Sequence, residues 1–230
     1  MIKINNLNKK FKNEIIFKKF DLKIKKNEIT TIIGPSGCGK TTFLKILSGI
    51  DKKYNGDIIG IDQSRISYIF QTPRLLPWKT VYENVLFVND DNKKIESILR
   101  NVDLWDSKNL FPKELSGGMK QRVSIARAFN YHSNILLMDE GFKGLDYKLK
   151  NNLIQYFEKI WKKNKKTVIN VTHNLDEALL ISDRIIQFSE KPVKVLNDIE
   201  INIKKEKRFK NKKLTKLKNK FIKENNGKDL

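Results

Sequence analysis

Cysteine is nearly missing from this chain: its 230 residues include one, Cys38. A lone thiol excludes an internal disulfide. With only two histidines, His132 and His173, it also leaves no cysteine–histidine set for a structural metal. A reducing cytoplasm is the simple expectation. Long apolar runs are missing too. Stretches such as Ile135–Met138 fall far short of the ~20 residues that cross a bilayer. The opening "MIKINNLNKKFK" is charged throughout and lacks the apolar centre of a secretory signal. Any work at a membrane therefore requires other chains to span it. Glycine is sparse, yet Gly34, Gly37, Gly39, Gly117 and Gly118 crowd into two short stretches, "GPSGCGKTT" at 34–42 and "LSGGMKQR" at 115–122. Both resemble anion grips, which raises the question of why one protein carries two.

Acidic residues are the scarcer charge. Against 47 Lys and Arg stand 26 Asp and Glu, for a net charge of +21. Nucleic acid, an anionic membrane surface or general solvation would each accommodate such an excess. The surplus is mostly lysine spread along the chain with abundant asparagine and isoleucine. Nucleic-acid binders concentrate arginine and aromatics on one face, so compositional bias is the expected reading.

Hydrophobic periodicity then organises the chain. The segments "IKINNL", "EIIF" and "FDLKIK" alternate as strands, and "EITTII" (28–33) is a β-branched run suited to burial on both faces. A helix follows through Phe43, Leu44 and Leu47. "ISYIF" (66–70) predicts a strand, broken off by Pro73 and Pro77, and 80–105 predicts helix. Gly117 and Gly118 open a helix, "ILLMDE" (135–140) is a strand ending in two carboxylates, and 146–163 is an amphipathic helix. "TVINVTH" (167–173) is a strand ending in histidine, followed by helix over 174–181 and the strand "RIIQF". Strands alternating with helices imply a mainly parallel sheet covered on both faces. Residues 204–230 hold 12 basic and 3 acidic side chains, with Leu214, Leu217 and Phe221 at helical spacing. They predict a C-terminal helix whose apolar stripe lies on its own domain, with attraction to anionic lipid as the alternative.

Strand, glycine loop and helix at 28–47 satisfy G-x-x-x-x-G-K-[ST] in the context that gives the pattern its meaning. Gly34, Gly37 and Gly39 let backbone N–H groups turn toward phosphates, and the helix N-terminus adds positive potential. Pro35, Ser36 and Cys38 fill the free positions, so Cys38 lines the loop without acting as a nucleophile. Lys40 is placed to reach β- and γ-phosphates, the Thr41 hydroxyl to ligand Mg²⁺, and Thr42 completes the first helical turn. Asp139 would hold Mg²⁺ through water, and Glu140 would orient or deprotonate the attacking water. His173 ends its strand at the edge where ligands bind in open α/β sheets and is expected to contact a γ-phosphate. His132 is expected at the surface. Gln71, directly after "ISYIF", is suited to touch Mg²⁺ or the water and so to sense nucleotide.

The combination resembles the ATP-binding subunits of ABC transporters over roughly 1–200. "GPSGCGKTT" is similar to the Walker A loop, Gln71 to the Q-loop, "LSGGMKQR" to the signature motif, "ILLMDE" to Walker B, "GLD" (144–146) to the D-loop, and His173 to the switch histidine. The resemblance implies an α/β P-loop NTPase (RecA-like) fold with a mainly parallel sheet, an N-terminal antiparallel β subdomain and an inserted helical subdomain at about 72–128. It implies one ATPase domain over 1–230, with a basic extension from about 200, and points to Phe11 as the aromatic that stacks on adenine, with Phe17 and Phe20 as core alternatives. It also answers the question of the second grip: in this family two chains pack head to tail, and Ser116, Gly117 and Gly118 of one close over ATP held by the other, with Asp146 of the D-loop beside them.

ATP and Mg²⁺ are thus the implied cofactors. The implied partners are a second copy of the same or a similar ATPase subunit, membrane-spanning permease subunits and, indirectly, a solute-binding protein, with no nucleic acid expected; the implied place is the cytoplasmic face of the membrane, peripherally bound. "QTPRLLPW" (71–78) and "THNLDEALLISDRIIQFSEKP" (172–192) are similar to importers of the nitrate, sulfonate, taurine and thiamine-precursor group. In that group the region of Leu75, Leu76 and Trp78 seats a coupling helix of the membrane subunit. The rival is a soluble ABC ATPase acting on nucleic acid or ribosomes. Such proteins typically carry two ATPase units or a long coiled coil between Walker A and signature, whereas this chain shows one set of motifs and a short interval, 43–114. One departure stands out. The importers usually have proline after the Walker B glutamate, whereas this chain reads "DEGFKGLD", with Gly141 and Lys143. Gly141 is expected to free the backbone at the D-loop entrance.

Overall fold

A computed structural model describes residues 1–208 together with positions 214, 218, 219 and 221. Along the chain run β1 (Ile2–Phe11), β2 (Glu14–Ile24), β3 (Ile29–Ile33), α1 (Lys40–Leu47), β4 (Asn55–Ile59), β5 (Ile66–Ile69), α2 (Val81–Leu86), α3 (Asn92–Asn101), α4 (Gly117–Asn130), β6 (Ile135–Asp139), α5 (Tyr147–Lys163), β7 (Thr167–Val171), α6 (Leu175–Ile181), β8 (Arg184–Phe188) and β9 (Val195–Glu200). They divide into two compact units, one of residues 1–64 with 167–230 and one of residues 65–166. Of the expected C-terminal helix, Leu217 lies outside the described residues. Leu214 and Phe221 are helical and buried in a cluster with Ile33, Leu175, Ala178 and Leu179.

The first unit holds two sheets. The antiparallel one has the order β2-β1-β4, with Ile2 opposite Ile24 and Ile4 opposite Ile58. The two segments expected as separate strands at 14–24 are one strand, because pairing with β1 continues through both across three register shifts, with Lys19 at φ 48° between them. In the other, β3 lies between β7 and β8 in parallel, and β9 runs antiparallel along β8. β3 is buried at every residue, as its β-branched run demands. Phe17, Phe20, Phe43 and Phe188 form an aromatic cluster with ring centroids 5.2–6.5 Å apart. Each buried ring contributes ~2–3 kcal/mol from area alone, so the cluster anchors α1 and the antiparallel sheet in this unit.

In the second unit β5 and β6 pair in parallel, Ile69 opposite Met138. The helical stretch expected at 80–105 is two helices: α2 starts at a Thr80/Glu83 capping box and α3 at Asp91, whose side chain accepts from the Lys94 N–H. "FVNDD" between them supplies the second cap and so the break. Helix α4 packs with α2, α3 and β5.

Candidate functional site

Two groups of residues carry the expected chemistry, one in each unit. In the first, β3 emerges between two parallel neighbours, and the chain turns back at its carboxyl edge into the phosphate loop. Gly39 has φ 125°, and a Cβ there would stand 2.6 Å from Ile16 Cγ2. Only glycine fits. At Gly34 a Cβ would meet the Phe188 carbonyl oxygen at 2.8 Å, with φ 155°. Gly39 is also the N-cap of α1 and supplies no side-chain acceptor, so the first-turn N–H groups at Lys40, Thr41 and Thr42 are directed at the loop. Ser36 and Gly37 are exposed; Pro35, Thr41 and Thr42 are half-buried.

Lys40 is buried, and its ammonium donates to the Gly34 and Pro35 carbonyls at 2.7 Å each. A phosphate oxygen is a stronger acceptor than a peptide carbonyl, so this cation, resting on two loop carbonyls, fits an anionic ligand. Cys38 is buried with Sγ 3.9 Å from Lys40 Nζ. Burial pushes its thiol up, with Lys40 only partly opposing, which agrees with a bystander. At the same edge, Val171 of β7 lies opposite Ile32, and the Thr172 N–H donates to the Ile32 carbonyl at 3.3 Å. His173 follows, exposed. It stands between a strand pinned to the phosphate-loop strand and α6, whose N-cap Asn174 accepts from the Glu177 N–H at 2.9 Å.

Phe11 ends β1 with 48% of its surface exposed, whereas Phe17 and Phe20 are core residues at 1% and 4%. Under the Phe11 ring lies Lys9 Nζ, 4.5 Å from the centroid, itself held by Asp51 at 2.7 Å and by the Lys53 carbonyl at 2.7 Å. Lys9 escapes notice in the sequence among many lysines. The signal is its two-residue spacing from Phe11, which puts both on one strand face.

The second unit gathers Gln71, Asp139 and Glu140 at the carboxyl edge of β5 and β6. Asp139 is buried. Gln71 Nε2 donates to Glu140 Oε2 at 3.2 Å, and Lys143 Nζ reaches the same oxygen at 2.6 Å. Glu140 has φ 51°, left-handed backbone that costs a non-glycine residue ~1–3 kcal/mol and collects at functional sites. This corrects the expectation for Gly141: glycine is not the residue with unusual backbone, and the left-handed turn falls on the carboxylate itself. Gly141 is buried, and a Cβ there would meet Met138 Cε at 2.8 Å, the far end of a flexible side chain. Tyr68 of β5 feels the Asp139 charge: its phenol is pushed up by burial and then by that carboxylate.

The second glycine grip is tied to the same segment. Ser116 caps α4, accepting from the Met119 N–H at 3.2 Å, and Gln121 Nε2 donates to the Gly141 carbonyl at 2.8 Å. Gly118 faces the Gly144 carbonyl, 3.3 Å from where a Cβ would be, whereas a Cβ on Gly117 would meet nothing within 4 Å. Asp146 is the N-cap of α5 and accepts from the Leu149 N–H at 3.0 Å. Past Gln71, Leu75 and Leu76 are half-buried and Trp78 is 70% exposed. His132 is exposed, as expected, with Nε2 3.4 Å from Asn89 Nδ2. Among the described residues no three His, Cys, Asp or Glu side chains form a metal-binding group.

Residues 17–143 match the ABC transporter family. The chain is 40% identical over 215 residues to an aliphatic sulfonates import ATP-binding protein, SsuB, of Bacillus cereus, covering 86% of this chain and 85% of that one. It is 36% identical over 223 residues to an uncharacterized ABC transporter ATP-binding protein of Methanocaldococcus jannaschii, covering 89% and 83%. Among solved structures it resembles an ATP-binding cassette in a dimeric post-hydrolysis state bound to ADP and Pi, with TM-score 0.76, 31% identity and coverage of 89% of this chain and 100% of that one. The α/β architecture, the phosphate loop, the paired carboxylates and these likenesses agree: the chain belongs to the ABC transporter family, as an ATP-binding and ATP-hydrolysing protein.

Proposed function

We propose that this chain is the ATPase subunit of a solute importer, working as a pair of ATPase copies beside separate membrane-spanning subunits at the cytoplasmic face of the membrane. Its solute is of the nitrate, sulfonate, taurine or thiamine-precursor pyrimidine class. The observation that carries this reading is the 40% identity over 215 residues to a sulfonate-import ATP-binding protein, and "QTPRLLPW" is in keeping with it. No helix among the described residues is long and apolar enough to cross a membrane.

In this reading Phe11 stacks on adenine, Lys40 and the loop N–H groups hold the phosphates, and His173 contacts the γ-phosphate. Glu140 takes the proton of the attacking water, with Gln71 orienting its carboxylate. Thr41, Gln71 and Asp139 are the residues that would hold Mg²⁺, which when bound neutralises phosphate charge. Ser116, Gly117, Gly118 and Asp146 serve ATP held by the second copy. The openness around Gly117 supports that role: nothing nearby demands a glycine there, whereas an incoming phosphate would. ATP favours the closed pair over the open one, and hydrolysis releases it.

Purification of the tagged chain from its own membranes tests the reading. Membrane-spanning subunits should accompany it and should confer solute-stimulated ATP hydrolysis on reconstitution. Recovery with RNA or ribosomes, free of membrane protein, would overturn it in favour of a soluble ABC ATPase.

A further inference from the structure

The basic C-terminal region does more than lay an apolar stripe on its own domain: its described residues grip one helix at both ends. Arg208 is 3% exposed and sends its guanidinium to five carbonyls. Nε donates to Ile203 at 2.8 Å, Nη2 to Ile201 at 3.2 Å, and Nη1 to Leu179 at 3.3 Å, to Leu180 at 3.2 Å and to Ser182. The last three lie at the C-terminal end of α6, where carbonyls lack helical partners and a cation is favoured. Lys205, also buried, bridges to Asp183 at 2.9 Å, and the other Asp183 oxygen accepts from the Ile29 N–H at 2.8 Å, which fixes the grip to β3. At the opposite end Lys218 pairs with Asp176 in the first turn at 2.7 Å. Leu214 and Phe221 pack on Leu175, Ala178 and Leu179 between the two polar grips.

Helix α6 starts two residues after His173. Whatever fixes its axis fixes His173, because Asn174 joins them as the cap. We propose that Lys205, Arg208, Leu214, Lys218 and Phe221 form a clasp that holds α6, and through it His173, in position for hydrolysis. Arg208 and Lys218 are positioning residues, and the inference rests on the reading of His173 as the γ-phosphate contact. A surface tail held for solubility would need neither a buried arginine spread over five carbonyls nor a charge partner at each end of one helix.

The full chain provides the test, with kcat and KM for ATP from steady-state hydrolysis and ATP affinity from equilibrium titration. Lys218→Asp and Asp176→Lys should each lower kcat about threefold to fivefold, the upper range for an exposed pair turned repulsive. KM and affinity should hold, and the double exchange should restore most of the rate. Arg208→Gln strands buried carbonyls and should lower kcat by about tenfold or more. Should that variant fail to fold, the exposed pair still decides the matter. Unchanged kcat in both single exchanges, or no recovery in the double, overturns the clasp. His173→Ala separates the two ideas. Normal hydrolysis in that variant sinks the His173 reading and the clasp's route with it. Loss there, beside normal rates in the exchanged pair, sinks the clasp alone.

Discussion

The phosphate loop and the segment Asp139–Asp146 both leave the carboxyl edge of a parallel strand, yet they reach their shapes by opposite means. In the loop, unusual backbone sits on glycines, at φ 125° for Gly39 and 155° for Gly34, and a cation folds inward onto carbonyls. In the second segment the left-handed residue is Glu140, and its side chain is tied outward to Lys143 and Gln71. The loop is relaxed by its composition. The second segment carries strain, and the strained residue is the one expected to do chemistry.

The largest effect should come from the strained residue. Glu140→Gln keeps the shape and the bond to Gln71 but cannot accept a proton, so hydrolysis should fall by about 10²–10⁴-fold while ATP binding persists. Single-turnover hydrolysis with a parallel binding titration measures both. Turnover near the wild-type rate would remove Glu140 from the mechanism.

Next come the glycines. Gly39→Ala forces a left-handed alanine and a Cβ 2.6 Å from Ile16 Cγ2. It should cost ~2–4 kcal/mol and abolish nucleotide binding. Gly141→Ala meets only the mobile end of Met138 at 2.8 Å and should cost less than ~1 kcal/mol. Chemical denaturation of the two variants side by side breaks the comparison if the costs are equal.

The same contrast explains what was legible in the sequence. Local backbone demands are written in glycines, so the phosphate loop was readable by spacing. The strain at Glu140 was not, because its neighbour Gly141 looks like the permissive position and no pattern marks a left-handed glutamate. Lys143 was visible only as part of the departure in "DEGFKGLD"; its pairing with Glu140 across a turn was not. Among the elements, β3 and α5 announced themselves by burial and period. β4 and β9 did not. β4 is mostly exposed and exists because β1 offers it a ladder, Lys3 opposite Ile59 and Asn5 opposite Asp57, while β9 borrows its register from β8. Pairing across such distances leaves little trace in a local window. Arg208, one cation among many in the basic region, was equally invisible, since five carbonyl partners come together only in the folded chain.

Two cations, Lys40 buried and Lys166 half-buried, sharpen the comparison further. Lys40 is enclosed by carbonyls; Lys166, in the second unit, donates to Ser133 Oγ at 3.1 Å. Burial, with a smaller push from Lys94, lowers its ammonium from 10.5 to about 8. The unfolded chain therefore holds the extra proton between about pH 8 and 10.5, and stability should rise with pH across that window. Below it the burden is at most about 3 kcal/mol. Lys166→Met should stabilise the chain by ~1–2 kcal/mol at about pH 7, with the gain shrinking by about pH 10. Denaturation midpoints at the two pH values check this, and a gain independent of pH would show that the lysine charge is not the cause.

The smallest effect concerns Lys143, and its direction is informative. During hydrolysis Glu140 passes from anion to neutral acid. A cation 2.6 Å from Oε2 stabilises the anion more than the neutral form and so opposes proton uptake. Lys143 is about half exposed, with 53% of its side chain accessible, so water screens the pair and its worth stays within ~1 kcal/mol. Lys143→Ala should therefore raise kcat by about twofold to threefold, with KM for ATP unchanged. Lys143→Arg, which restores the charge, should return the rate toward wild type. Were Lys143 instead the support that keeps Glu140 in its left-handed turn, the alanine variant would lose activity and stability together. Steady-state kinetics and a denaturation curve on the same preparations distinguish the two. A fall in kcat with a lowered midpoint would mean that the ion pair is the scaffold for the strain at Glu140, and the loop and the carboxylate segment would then differ only in which side chains enforce their turns.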